Sequence, residues 1–113
     1  MSNKYYPIYL DLVSRHCVVI GGNDEAARKA QGLIDCQAHV TVISPSLVKS
    51  LQSLVEIDAV TWVQRPYASG DLSGANLVIV ADSGNMEINK QVIAEAELRN
   101  ILVILIQHHG ILN

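Results

Sequence analysis

The chain has 113 residues, half of them hydrophobic and 17% charged, with a formal net charge of -3 and a mean hydropathy of +0.25. That is the makeup of one globular domain with a filled core, expected over residues 1–113, and it excludes both a second independent domain and disorder from self-repulsion. An isoelectric point near 5.7 excludes the basic footprint of nucleic-acid binding. The longest apolar run, residues 101–106, is far short of the roughly 20 residues of a bilayer span, and the opening Met1-Ser2-Asn3-Lys4-Tyr5-Tyr6-Pro7 lacks the apolar stretch of a secretory leader. A cytoplasmic protein without nucleic-acid or membrane partners is expected. Cys17 and Cys36 form neither a disulfide framework nor a metal-ligand spacing, and read as reduced residues in or near the core.

Short β-branched runs alternate with segments of helical period. Cys17-Val18-Val19-Ile20 is a continuous apolar strand closed by Gly21-Gly22. Over residues 25–36, Ala26, Ala30, Leu33 and Ile34 recur at helical spacing while Arg28, Lys29 and Asp35 fall elsewhere on the wheel, which predicts an amphipathic helix with Asn23 or Asp24 as N-cap. Val40-Thr41-Val42-Ile43 is a second buried strand, followed at Ser44-Pro45-Ser46 by a turn and a short helix to about Val55. Val60-Thr61-Trp62-Val63 alternates more and reads as a strand near an edge. Pro66, Gly70 and Gly74 then impose a loop around Tyr67 and Asp71-Leu72. Leu77-Val78-Ile79-Val80-Ala81 has no polar alternation, as in a parallel strand covered on both faces. Residues 85–99 predict a second long helix with Ile88, Val92, Ile93 and Ala96 inward. Residues 101–106 predict a fifth strand, apolar throughout and so expected to be covered on one face by the 85–99 helix and on the other by the 25–36 side of the sheet. This alternation specifies an α/β fold, a Rossmann-type doubly wound parallel sheet with helices on both faces and strand order 3-2-1-4-5.

In such sheets ligands bind beyond the carboxyl ends of the strands, where the strand order reverses, here between the first and fourth strands. Gly21-Gly22-Asn23-Asp24-Glu25-Ala26 at that point is a variant of the dinucleotide fingerprint: a strand, a tight glycine turn, then a helix N-terminus whose free N–H groups can take a pyrophosphate. Gly21 makes the turn, Ala26 allows close helix packing, and Asn23 replaces the middle glycine that lets backbone approach the phosphates. The Asn23 side chain stands in the path of the diphosphate, and Glu25 puts a like charge in the first helical turn. Two readings follow: true dinucleotide binding, and a nucleotide-type fold that has lost its nucleotide.

The neighbouring residues divide the same way. Pro45, Ser44 and Ser46 follow the second strand, where the hydroxyls could reach an adenosine ribose, but no acidic residue there marks NAD over NADP. Asp82, after Ala81, reads as a turn former at a helix start before it reads as a catalytic carboxylate. Adjacent His108 and His109 point to opposite faces of an extended chain with no carboxylate cluster beside them, so no metal site is expected. His16 and His39 precede strands and read as surface residues. Neither cysteine has the His or Lys setting that activates a thiol, and Trp62 reads as core or edge packing.

A wider pattern runs through the chain. Tyr6-Pro7-Ile8-Tyr9-Leu10-Asp11-Leu12, Cys17-Val18-Val19-Ile20-Gly21-Gly22, Ala27-Arg28-Lys29-Ala30, Ala38-His39-Val40-Thr41-Val42-Ile43-Ser44-Pro45, Trp62-Val63-Gln64-Arg65-Pro66-Tyr67, Asp71-Leu72-Ser73-Gly74-Ala75-Asn76-Leu77-Val78-Ile79 and Ile88-Asn89 stand in that order. Together they resemble the N-terminal domain of sirohaem synthase, of the precorrin-2 dehydrogenase / sirohydrochlorin ferrochelatase family, over nearly the whole chain. The resemblance implies a cytoplasmic, dimeric enzyme that oxidises the tetrapyrrole precorrin-2 to sirohydrochlorin with NAD and in some members inserts iron. It places the cofactor on Gly21, Gly22, Asn23, Asp24, Glu25, Pro45, Ser46 and Ala81.

Departures from the family pattern fall at the chemistry. Members read Gly-Gly-Gly at Gly21-Gly22-Asn23, an apolar residue at Glu25, and Ala-Thr-Asp/Asn at Ala81-Asp82-Ser83-Gly84. The family's catalytic Asp falls on Gln107, which is neutral and accepts no proton near pH 7; Asp82 is the carboxylate that could substitute. Family enzymes continue into a helical dimerisation and substrate region, so residues 1–113 are expected to be the nucleotide domain without it. The alternative to a dehydrogenase is a non-catalytic ligand-sensing or partner-binding module that kept the sheet and lost the base. The 101–106 strand, an apolar edge followed by Ile111 and Leu112, is expected to pair with a second copy or a partner chain.

Overall fold

The β-branched runs pair as parallel strands with their register fixed by burial on both faces. The computed structural model describes residues 4–81 and 84–106. In chain order the elements are β1 (His16–Ile20), α1 (Asp24–Asp35), β2 (His39–Ile43), α2 (Lys49–Glu56), β3 (Val60–Val63), β4 (Leu77–Val80), α3 (Met86–Arg99) and β5 (Leu102–Leu105). They form a five-stranded sheet in the expected order β3-β2-β1-β4-β5, parallel at every pairing. Val18 of β1 lies between Thr41 of β2 and Val78 of β4.

Successive strand residues point to opposite faces, so the inner strands β1, β2 and β4 feed two cores. On one face Cys17, Val19, Val40, Val42, Leu77 and Ile79 meet Ala26, Ala30 and Leu33 of α1 and Leu51 of α2. On the other, Val18, Ile20, Ile43, Val78 and Val80 meet Val92 and Ala96 of α3, together with Tyr67 and Leu72 from the loop before β4. Both long helices are capped by asparagine: Asn23 accepts from the Ala26 N–H and Asn85 from the Ile88 N–H, each satisfying a donor of the first turn. Asn100 ends α3 in the left-handed conformation (φ 57°, ψ 47°), a conformation asparagine tolerates well.

Three sequence expectations change. Ile93 is 37% exposed, because the buried side of α3 is made by Asn89, Val92, Glu95 and Ala96, and Ile93 stands about 100° round the helix from Val92. Cys36 is exposed and only Cys17 is buried; Cys36 closes α1 as its C-cap, its N–H on the Gly32 and Leu33 carbonyls, beyond the last inward position. Third, β5 is covered on one face only. Val103 and Leu105 pack on the α3 side, while Leu102 and Ile104 are 50% and 41% exposed. The opposite layer packs α1 on β1 and β2 and α2 on β3, and so does not cover this strand.

A crevice at the carboxyl ends of the strands

The turn after β1 is built by two glycines for different reasons. Gly21 has φ 125°, a region that L side chains rarely adopt. Gly22 lies so close to the next loop that a Cβ there would sit 1.9 Å from the Ser46 carbonyl oxygen and 2.7 Å from Ser44 Oγ. The Val48 N–H ties the two loops together by donating to the Gly22 carbonyl at 2.8 Å, while the Ser44 hydroxyl donates to the Ser46 carbonyl at 2.7 Å within the second loop and the Trp62 indole N–H of β3 to the Ser44 carbonyl at 2.8 Å.

Asn23 spans the mouth of this turn. Its Oδ1 accepts from the Ala26 N–H at 2.9 Å and its Nδ2 donates to the Ala81 carbonyl at 3.4 Å, linking the start of α1 to the end of β4. An N–H that an anion would use is thus held by the chain itself. The Glu25 carboxylate pairs with Arg28 at 2.5 Å and with Lys29 at 3.6 Å, which offsets its charge in the first turn of α1.

Above the strand ends lies a crevice of about 260 Å³, lined by Ile20 and Gly21 from β1, Ile43, Ser44 and Pro45 from β2, Pro66 and Tyr67 from the loop after β3, and Asn85 and Ile88 at the start of α3. Tyr67 is buried and is held from the far side by Glu95, which accepts hydrogen bonds from the Tyr67 hydroxyl, the Gly70 N–H at 3.1 Å, the Leu72 N–H at 3.2 Å and Arg99 Nε at 2.8 Å. Burial pushes the Glu95 carboxyl up, but the bonds from Tyr67, Gly70, Arg99 and Leu72 outweigh it and the net shift is downward. Burial, then the Glu95 hydrogen bond, pushes the Tyr67 phenol up. Arg65 clamps the same loop through two bonds to Asp71, at 2.7 and 2.6 Å. Those bonds are the main cause of the lowered Asp71 carboxyl.

Of the residues singled out in the sequence, Gly21, Ser44 and Pro45 line the crevice, Gly22, Asn23 and Ala81 form its tied rim, and Asp24 and Glu25 open α1. Ser46 is exposed and contributes its carbonyl to the rim. Asp82, Gln107, His108 and His109 lie outside the described residues. His16 is half-buried, with its Nε2 3.0 Å from the Thr41 hydroxyl at the opposite end of the sheet. Sequence reasoning gave Tyr67 and Glu95 no part in the site. The signal for Glu95 was its position in the inward stripe of α3 between Val92 and Ala96, since a buried carboxylate must be met by donors.

Residues 8–109 match the model of a family described as "Putative NAD(P)-binding", and the chain belongs to that family. Over 100 residues it is 35% identical to the siroheme synthase of Acinetobacter baylyi, covering 88% of this chain and 22% of the relative. The siroheme synthase of Thiobacillus denitrificans is 40% identical over 79 residues, 70% of this chain and 16% of the relative. The chain thus spans about a fifth of the length of these curated relatives. Among solved structures, "SirC, precorrin-2 dehydrogenase" superposes with a TM-score of 0.77 at 20% identity over 96% of this chain and 52% of that one, a likeness of fold. Among the described residues no helix is long and apolar enough to cross a membrane.

Proposed function

We propose that this is a cytoplasmic precorrin-2 dehydrogenase-like domain of sirohaem biosynthesis, which holds a nicotinamide dinucleotide in the crevice above the carboxyl ends of β1 and β2, beside the start of α3, for the oxidation of precorrin-2 to sirohydrochlorin. The observation that carries this reading is the crevice itself, which lies over the reversal of strand order and is walled by the glycine turn, the β2 loop and the start of α3. The similarity to siroheme synthases supports the substrate class.

The residues fit parts of a dinucleotide. The positive φ of Gly21 lets the backbone turn closely under a ligand; Ser44, Pro45 and Ser46 would hold an adenosine ribose, and Ile20, Ile43, Tyr67 and Ile88 would shield the reacting ring from water. The nicotinamide supplies a hydride acceptor. For the pyrophosphate to reach α1, the Asn23 amide has to leave the Ala26 N–H. Of the two catalytic candidates, Gln107 cannot take a proton and Asp82 can, so turnover by the purified chain that is lost in Asp82→Asn would assign the base to Asp82.

A second reading, a non-catalytic ligand-sensing or partner-binding module, is favoured by the same Asn23 cap, which satisfies the helix without any anion. Calorimetric titration with NAD+ and NADH separates the two. Micromolar binding carries the first reading; no saturation at millimolar ligand carries the second. For either, the exposed Leu102 and Ile104 on edge strand β5 support association with a second copy or a partner chain, and a strict monomer in light scattering at high micromolar concentration would refute self-association.

A further inference from the structure

Glu95 is a carboxylate only 7% exposed, placed in the middle of α3 and outside the crevice. A charge buried on a helix face is costly unless matched by donors, and a run of well-packed apolar residues would serve a purely structural helix better. Its donors are specific. The Tyr67 hydroxyl and the backbone N–H groups of Gly70 and Leu72 come from one loop, and only Arg99 comes from its own helix. Tyr67 is the residue through which this cluster meets the crevice: it lines the cavity above the strand ends and also a groove of about 480 Å³ on the flank of α3, beside Glu95 and Arg99. Asp71 and Arg65 close the same loop on its outer side.

We infer that Glu95 is a positioning residue for the ligand crevice, acting through Tyr67: by gathering one side chain and two backbone donors of the loop onto a fixed point of α3, it sets where the Pro66-Tyr67 wall stands relative to Gly21 and Ser44. This rests on the reading of the crevice as the nucleotide site. It goes beyond that reading by assigning part of the affinity to a carboxylate that touches no ligand. Loss of the Glu95 acceptor leaves the Tyr67 hydroxyl with the longer 3.5 Å bond to the Gln91 carbonyl and releases both amides, so the wall relaxes as a unit. Glu95→Gln keeps an acceptor oxygen and retains part of the arrangement.

The test uses NADH as probe and amide spectra of the whole chain, with Glu95→Ala, Glu95→Gln, Tyr67→Phe and the Tyr67→Phe/Glu95→Ala double variant, all measured well below their melting points. Glu95→Ala is expected to weaken NADH binding about tenfold, Glu95→Gln to recover part of that loss, and the double variant to fall no further than Glu95→Ala alone, because both changes break the same link. The amide signals of Gly21 and Ser44 are expected to shift along with those of Gly70 and Leu72. A lower melting point with unchanged NADH affinity and unmoved Gly21 and Ser44 signals would show a merely structural role and overturn the inference, as would additive single effects. If the unaltered chain binds no NADH, the nucleotide reading fails by itself and the amide signals decide: shifts at Gly21 and Ser44 uphold the positioning role, and their absence refutes it. Should Glu95→Ala fail to fold, Glu95→Gln and Tyr67→Phe carry the same comparisons.

Discussion

Gly22 offers a sharp test of how the crevice rim is built. In Gly22→Ala the new methyl would lie 1.9 Å from the Ser46 carbonyl oxygen, so that backbone must retreat by about 1.5 Å to reach an ordinary contact. The retreat strains both the Ser44 hydroxyl bond to Ser46 and the Val48 N–H bond to Gly22. Overpacking of this kind costs roughly 1–3 kcal/mol and each hydrogen bond about 1 kcal/mol, so a loss of about 3–5 kcal/mol is expected. For a domain of this length that lowers Tm by roughly 4 °C per kcal/mol. Urea unfolding followed by Trp62 fluorescence measures it directly, because the indole donates to Ser44 within the same rim. Gly32→Ala is the control: nothing lies within 4 Å of a Cβ there, the site is in the middle of α1, and a gain of about 0.5–1 kcal/mol is expected. If Gly22→Ala unfolds within about 0.5 kcal/mol of the parent, the rim is not held by the close approach of Gly22 to the Ser46 carbonyl.

Asn23→Gly combined with Glu25→Val should tighten NAD+ binding in calorimetry, because the first change frees the Ala26 N–H and the second removes a carboxylate from the first turn of α1; weaker or unchanged binding would mean that Asn23 is not the obstacle. In thiol titration one cysteine per native chain should react at once, the exposed Cys36, while Cys17, fully buried and with its thiol pushed up by that burial, should react only on unfolding. Acid should destabilise the fold through Glu95 and Asp71. Both carboxyls are lowered in the folded chain, so their stabilisation is complete above the ordinary carboxylate range near pH 4 and is lost as pH falls through the lowered folded values. Urea midpoints between pH 7 and pH 2 should therefore drop less in Glu95→Gln than in the parent, and an unchanged acid slope would refute the assignment for Glu95.

The strands and the two long helices were legible because burial on both sheet faces leaves an unmistakable pattern: Val60-Thr61-Trp62-Val63 coincides with β3, and Asn23 and Asn85 stand where each helix begins. Errors arose where partners distant in sequence decide. An apolar run such as Leu102-Val103-Ile104-Leu105 signals its propensity for a strand but not which neighbouring layer reaches it, and here α1 and α2 do not. At the site, the glycine turn and the Asn23 cap were visible in the motif. The wall opposite was not, because Tyr67 and Glu95 lie 28 residues apart and meet only through the docking of a loop on α3. The close approach that forces glycine at position 22 was hidden for the same reason: its cause, the Ser46 carbonyl, belongs to another strand's loop.

The topology around β1 has a consequence for when the site comes into being. Cys17 pairs with Val40, 23 residues along the chain, and with Leu77, 60 residues along. Closing the longer loop costs about 0.8 kcal/mol more entropy, so the β1–β4 seam is the costlier of the two to assemble. The crevice borders that seam, with Gly21 just after β1 and Asn85 and Ile88 at the start of the helix that follows β4. A ligand lodged there staples together the two halves of the sheet that the chain joins at greatest expense in freedom, and it can do so only after they have met. Occupancy therefore acts on the completed fold alone, and a ligand bound there would stabilise that fold against unfolding.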